Sequence, residues 1–402
     1  MRDKIITYLK MHPAAVCVFW SFMRSILKLI ACFLPTKDKT MLFSSFGGRN
    51  FDDSPKAIYD EICSRKEFDD WEITWAFINP DAFNLERGKK VKIDTLKFFF
   101  VLLTSKVWVS NSEIDRGIDI NRRQTVRIET WHGTPLKKIC GDEHSNAIGG
   151  NTKKNTFQND SKTIRCAQSK YDRDIFARIF NADKGSFLLC DLPRNDALLS
   201  PHSNTELLAI KNRLNIKDNK KVILYTPTYR EYLINSENKI YLAPPIDLRK
   251  WERLLSDKYV LLIRAHYAVA EVLNFTDNDF VKNISNYPSL NELYLISDIL
   301  ISDYSSTFID YSILERPMFC FAYDLEEYEE KRGLYLDLQK VLPCSIDKTE
   351  DDLLENILTF SHSEAIERTK TFRARFAPYA GNAAQAVANE LSKRLKQNKR
   401  NV

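Results

Sequence analysis

The sequence predicts an α/β protein with two doubly wound, Rossmann-like halves, and three observations carry that prediction. Short apolar strands alternate with helix-like runs along most of the chain, the pattern of parallel βαβ winding. A polar stretch from Asn212 to Lys221 interrupts the alternation near the middle. The polar motifs fall at the carboxyl ends of predicted strands, where open α/β sheets take their ligands. At 402 residues the chain exceeds one ordinary core and suits two domains of roughly 150–200 residues. The expected division is an N-terminal segment over 1–38, a first domain over 39–205 and a second over 206–402. A closing helix is expected to pack back towards the first domain.

Composition narrows the class. The chain is 44% hydrophobic and 28% charged with 11 glycines, as a folded protein should be. Its eight cysteines, Cys17, Cys32, Cys63, Cys140, Cys166, Cys190, Cys320 and Cys344, form no CxxC pair and read as reduced thiols rather than a zinc site. No metal and no cofactor is expected. A net charge of +5 is too small to argue for nucleic acid, although both ends of the chain are basic.

Pro13 to Pro35 is a long apolar stretch, but Arg24 and Lys28 interrupt it, which is costly in a bilayer core. It carries no small-residue cleavage site. Val16, Phe19, Trp20, Met23, Ile26, Leu27, Ile30 and Leu34 share one helical face, with Cys17, Ser21, Arg24 and Lys28 opposite. This predicts an amphipathic helix in a membrane interface, its lysines and arginines near anionic head groups. The competing reading packs the same helix on the protein's own core.

From Thr40 onward the expected strands are Met41–Phe46, Glu72–Ile78, Lys106–Asn111, Gln124–Thr130 and Thr163–Ala167. Helices are expected from Ser54 to Cys63, from Thr95 to Leu103 and from Tyr171 to Phe180. The second half restarts with Lys221–Thr226, then Tyr259–Arg264, Phe280–Val281, Ile299–Ser302 and Pro317–Phe321. Asn382 to Lys396 forms the amphipathic closing helix, which runs into a basic tail.

Four strand ends carry chemistry. Trp131-His132-Gly133-Thr134-Pro135-Leu136-Lys137 places an imidazole after a buried strand, with Thr134 and Pro135 as N-cap and first-turn proline of a following helix. That juxtaposes a base and an anion site. Ser302-Asp303-Tyr304-Ser305-Ser306-Thr307 is a strand followed by a hydroxyl-rich turn and a helix start, a phosphate site or a plain serine cap. Arg264 and His266 project to one side of an extended chain and can grip one diphosphate together. Arg230, after Pro227-Thr228-Tyr229, has the fork that suits phosphate oxygens. Arg194 reads instead as an ion pair with Asp196. Asp303 and Asp310 could bind a cation, but read rather as helix-capping or interdomain carboxylates. His144, His202 and His362 have no motif around them. No GxxxxGK[ST], GxGxxG, HExxH or GxSxG appears, which argues against an ATPase, dehydrogenase, metalloprotease or serine hydrolase.

Together these motifs resemble the signature set of the CDP-glycerol glycerophosphotransferases, the family that includes teichoic acid primases and polymerases. The resemblance runs from about Met41 to about Asp337 in one motif order, and Phe43–Gly47 with Asp53–Ala57 is similar to the family's N-terminal domain. Tyr229 departs from it, since tryptophan is common at that place. The resemblance implies a GT-B architecture, with an acceptor domain and a CDP-donor domain facing a central cleft. It also implies a peripheral position at the cytoplasmic membrane face and a lipid-linked glycan or poly(alditol phosphate) acceptor.

By the same resemblance His132 is the catalytic base and His266 contacts the donor phosphates. The donor and acceptor site then draws on Gly133, Thr134, Lys137, Thr228, Arg230, Arg264, Asp303, Ser305, Ser306 and Thr307. The implied reaction is attack of an acceptor hydroxyl on the glycerol-bearing phosphorus of CDP-glycerol, with release of CMP. CDP-ribitol as donor, or a GT-B glycosyltransferase using a nucleotide sugar, are the alternatives, and a non-catalytic membrane scaffold is a distant third.

Overall fold

The computed structural model describes residues 13–116, 125–143, 162–230, 232, 244–265 and 275–400, with side chains from residue 21 to residue 397. The chain divides into two compact units. One comprises residues 1–131, 161–165 and 387–402, the other residues 132–160 and 166–386.

The first sheet contains β1 (Lys37–Ser44), β2 (Glu72–Phe77), β3 (Lys89–Lys92), β4 (Ser105–Ser110), β5 (Val126–Glu129), β6 (Thr163–Ala167) and β7 (Phe187–Leu189). Its order is β3-β2-β1-β4-β5-β6-β7, and β1 to β6 pair in parallel. Met41, Leu42, Phe43, Val107, Trp108 and Val109 are all at most 1% exposed. Such unbroken apolar runs are what strands covered on both faces require. The edge strand β3 was not expected. Its three lysines leave Val91 as the single buried residue, so it lacks an apolar run.

The second sheet contains β8 (Lys221–Tyr225), β9 (Tyr259–Ile263), β10 (Val281–Asn283), β11 (Ile299–Ser302), β12 (Met318–Phe321) and β13 (Ile346–Asp347). It is parallel throughout, in the order β10-β9-β8-β11-β12-β13. Each sheet thus starts in the middle, winds outward one way and then crosses to the other side. The crossing leaves a crevice at the carboxyl ends of β1 and β4 in the first sheet, and of β8 and β11 in the second. Two parallel sheets with helices make this an α/β protein of the GT-B-like kind.

The helix Pro13–Phe33 divides its described side chains. Leu27 is buried among Phe98, Phe99, Leu102 and Trp108 of the first unit, while Phe22, Leu29 and Phe33 are 64%, 62% and 80% exposed. The helix therefore packs on its own core through one edge and keeps an apolar surface outside. Val16, Phe19 and Trp20 have side chains outside the described residues. No described helix is long and apolar enough to cross a membrane. The closing helix spans Ala383–Arg400. In the first unit Ser392 donates to Glu67 (3.0 Å) and Arg394 to the Thr163 carbonyl (3.1 Å).

Candidate active site

The second unit begins at His132, directly after a residue in a costly conformation. Trp131 has φ 55°, a left-handed geometry that non-glycine residues rarely adopt and that costs of order 1–3 kcal/mol. His132 is exposed. Gly133 follows with φ 146°, and a Cβ there would stand 2.5 Å from Ser306 Oγ and 3.1 Å from Ser306 Cβ. Only glycine permits that approach. The histidine loop and the serine turn, far apart in sequence, are therefore in direct contact within one unit.

No helix follows Thr134 among the residues described up to Glu143, which corrects the expectation of an N-cap and an amide anion site there. Thr134 is fully buried, and its hydroxyl donates to Gln168 Oε1 (2.7 Å) and Asp172 Oδ2 (3.1 Å) instead of capping a turn. The next residues stay extended, because their main chain is bonded elsewhere. The Lys138 N–H reaches the Gly333 carbonyl and the Tyr335 N–H reaches the Leu136 carbonyl, each at 2.9 Å. Lys137 forms an antiparallel bridge with Leu334 and is half-buried. Thr134 thus holds the loop through its hydroxyl.

Beneath the loop lies a buried polar network that the sequence reading missed. Arg194 Nη2 donates to Asp310 Oδ2 (2.7 Å) and to the His132 carbonyl oxygen (3.2 Å). Asp310 Oδ1 accepts from Asn195 Nδ2 (2.9 Å) and Gln168 Nε2 (3.2 Å). Arg194 therefore pairs with Asp310, where the expected partner was Asp196. Asp196 caps a helix, accepting the Ala383 and Ala384 N–H groups at 2.8 Å. Asp191 adjoins the network and accepts from Gln168 Nε2 (2.8 Å), the Leu192 N–H (2.6 Å) and Asn195 Nδ2 (3.2 Å). Burial pushes its carboxyl up to about 7; the Asp310 charge adds to this, and the Leu192, Gln168 and Asn195 donors oppose it.

The strand ends of the second sheet are bound together by hydroxyls. Thr226 Oγ1 donates to Ser302 Oγ (3.0 Å), Ser302 Oγ to the Thr226 carbonyl (2.8 Å) and Thr307 Oγ1 to Ser302 Oγ (3.1 Å). The helix Thr307–Ser312 starts here, and Ser305 Oγ accepts the Thr307 N–H (3.2 Å). Ser306 makes no side-chain cap bond, so of the two serines only Ser305 takes a capping role. Both remain half-buried at the loop that Gly133 touches.

Arg230, expected as a phosphate grip, is engaged by carboxylates among the described residues. It is 3% exposed. Its Nε and Nη2 fork onto Asp324 at 2.8 Å each, while Nη1 donates to Asp303 Oδ2 (2.8 Å) and the Thr228 carbonyl (2.6 Å). Rings of Tyr304, Tyr328 and Tyr323 surround the guanidinium at 4.8, 5.2 and 5.3 Å. Burial works against its charge, and the two carboxylates outweigh that and hold its pKa above the ordinary value. Asp303 is equally engaged, accepting the Thr228 N–H (3.1 Å) and the Tyr304 N–H (2.7 Å) as well as Arg230. Both are braces for the loop after β8. The Thr228 hydroxyl oxygen is buried and has no hydrogen-bond partner among the described residues.

Arg264 stands half-buried at the end of β9, its N–H on the Tyr225 carbonyl (2.9 Å). His266 and His144 lie outside the described residues.

Comparison with known proteins gives the class of this parallel-sheet α/β protein, whose histidine loop is seated on a strand-end serine turn. The sequence profile described as CDP-Glycerol:Poly(glycerophosphate) glycerophosphotransferase matches residues 26–393, and the chain belongs to that family of transferases. It is 34% identical over 401 residues to a teichoic acid poly(glycerol phosphate) polymerase of Bacillus spizizenii, covering 97% of this chain and 100% of that one. The polymerase of that name from Staphylococcus epidermidis is 34% identical over 374 residues, 90% of this chain and 51% of the relative. The solved wall teichoic acid polymerase TagF superposes with a TM-score of 0.84 at 30% identity over 99% of both chains, and a histidine-to-asparagine variant of it soaked with CDPG also matches, at a TM-score of 0.83 and 30% identity over 99% of both chains.

Proposed function

We propose that the chain transfers glycerol phosphate from CDP-glycerol to a hydroxyl of a membrane-linked acceptor during teichoic acid synthesis, with His132 as the base. The observation that carries this reading is the contact between Gly133 and Ser306, which sets the exposed His132 beside the turn that the family resemblance assigns to the donor. An alcohol is a poor nucleophile at neutral pH. As its oxygen forms the new bond to phosphorus, the bond from phosphorus to the CMP oxygen breaks and the hydroxyl proton passes to His132. General-base help of this kind is worth on the order of 10²–10⁴-fold. CMP departs as a phosphate, a good leaving group that needs no acid.

The donor side rests on Ser305, Ser306, Thr307, the Thr228 hydroxyl, Arg264 and, by family resemblance, His266. Their task is to hold the phosphates in line and stabilise developing charge. The exposed Phe22, Leu29 and Phe33 of the N-terminal helix supply an apolar face for an anionic membrane surface, which would bring a lipid-linked acceptor to the enzyme.

His132→Ala tests the reading. CMP release in the presence of acceptor should fall at least a hundredfold, while the calorimetric affinity for CDP-glycerol changes little. An alanine variant that keeps most of its turnover removes the base assignment. A product joined by a glycosidic bond instead of a phosphodiester removes the reaction class.

A further inference from the structure

We infer that Arg194 is a positioning residue that seats the His132 loop on the donor-side helix, with Asp310 as the shared anchor. The inference rests on the reading of His132 as base. Residues 132–134 are held at both ends. On one side, Arg194 Nη2 binds the His132 carbonyl (3.2 Å) and Asp310 Oδ2 (2.7 Å). On the other, the Thr134 hydroxyl binds Gln168 Oε1 (2.7 Å), and Gln168 Nε2 reaches Asp310 Oδ1 (3.2 Å). Both routes end on one carboxylate whose side chain is 2% exposed. Between them Gly133 has no Cβ, and Ser306 occupies the space a Cβ would need.

The consequence is mechanical. Asp310 lies within the Thr307–Ser312 helix, which begins directly after Ser306. A shift of that helix is passed to the His132 main chain through two hydrogen-bonded routes. The distance between the base and the phosphorus is therefore held by the same residues that hold the serine turn. Trp131, in its left-handed conformation just before His132, gives the loop a reason to relax once the clamp is cut. Arg194 touches no reacting atom in this scheme and acts only through the His132 backbone.

The test compares Arg194→Ala, Arg194→Lys and His132→Ala in the full chain, with kcat and KM for CDP-glycerol and thermal unfolding measured on each. Arg194→Ala should lose about ten- to a hundredfold in kcat, the order expected when a reacting group is misplaced by about an ångström. Its KM should stay within about twofold. In the His132→Ala background the same change should cost little further, because residues acting through one another are not additive. Should the alanine variant fail to fold, Arg194→Lys decides. It keeps a cation beside Asp310, but its point charge on a shorter stem lacks the fixed fork of the guanidinium, which weakens the hold on the His132 carbonyl. A reduced kcat at near-normal melting temperature supports the inference, and a normal kcat overturns it. A normal kcat in Arg194→Ala, or a raised KM with kcat intact, also overturns it. If His132→Ala retains turnover the base assignment falls; if only the Arg194 variants retain it, the positioning role falls alone.

Discussion

Arg230 and Arg194 both pair with an aspartate flanking the Ser305-Ser306 turn, Asp303 before it and Asp310 after it. They differ in what else they hold. Arg230 is enclosed by tyrosine rings and spends its N–H groups on Asp324, Asp303 and the Thr228 carbonyl, all within the wall of the second sheet. Arg194 keeps a 12% exposed side chain and places one nitrogen on both Asp310 and the main chain of His132. One arginine closes a structural knot, and the other ties structure to the reactive loop. A cation at a strand end is therefore an anion site only where no nearby carboxylate already consumes it.

The largest effect expected from this contrast is in Arg230→Ala. Removing the cation strands Asp303 and Asp324 in a buried site, at a cost of about 5 kcal/mol, the upper end for a broken buried pair because two carboxylates lose one partner. Chemical unfolding should show the loss in full, and any fall in CDP-glycerol affinity should accompany it, because Arg230 braces the loop that carries Thr228. If Arg230→Ala keeps its stability and loses only donor affinity, Arg230 is a phosphate ligand after all and the contrast collapses.

Why Arg230 read as a ligand, and Arg194 as a pair with Asp196, is a matter of range. Apolar runs such as Met41–Phe43 and Val222–Leu224 are local, so most strands of both sheets were legible, along with the strand ends where the polar motifs cluster. The carboxylates that capture the arginines are not local. Asp324 lies 94 residues from Arg230, and Asp310 lies 116 from Arg194. The helix expected after Thr134 failed for the same reason. Thr-Pro is a sound local start signal, but the threonine hydroxyl is taken by residues 34 and 38 positions away, and Leu136 and Lys138 by the chain near residue 334. Strand β3 was missed for a different reason, since an edge needs little apolar content and carries lysines instead. The position of His132 needs no distant partner to be noticed, since an exposed imidazole shortly after a buried strand is a local feature.

The second arm of the contrast concerns pH. Arg230 compensates its carboxylates directly, whereas Asp191 has only neutral donors around it and the Asp310 charge close by. Its carboxyl is raised from the ordinary 3.8 to about 7. Between roughly pH 4 and 7 the folded protein holds a proton that the unfolded chain has released. The stability from this group is complete below pH 4 and is lost as pH rises through 7, by on the order of 4 kcal/mol. Asp191→Asn replaces the titrating group with a permanently neutral one, so its melting temperature should vary less between pH 5 and 8 than that of the parent. An unchanged slope would place the pH sensitivity elsewhere in the network.

The smallest effect separates positioning from stability most cleanly. Gly133→Ala adds one methyl group at φ 146°, against Ser306 Oγ and Cβ. The hydroxyl can turn away, but the Ser306 Cβ cannot, so the loop itself must yield. The conformational and steric cost is about 1–3 kcal/mol, a few degrees of melting temperature at this chain length. Turnover should fall further than that loss accounts for, because the displaced residue is the neighbour of His132 and the distance to phosphorus governs the rate. Cutting the Arg194 clamp and wedging the Gly133 contact open are two ways of moving the same imidazole. The two changes combined should therefore cost less in kcat than the product of their separate losses. Fully multiplicative losses would mean that the loop has two independent supports and that Asp310 is not the point through which both act.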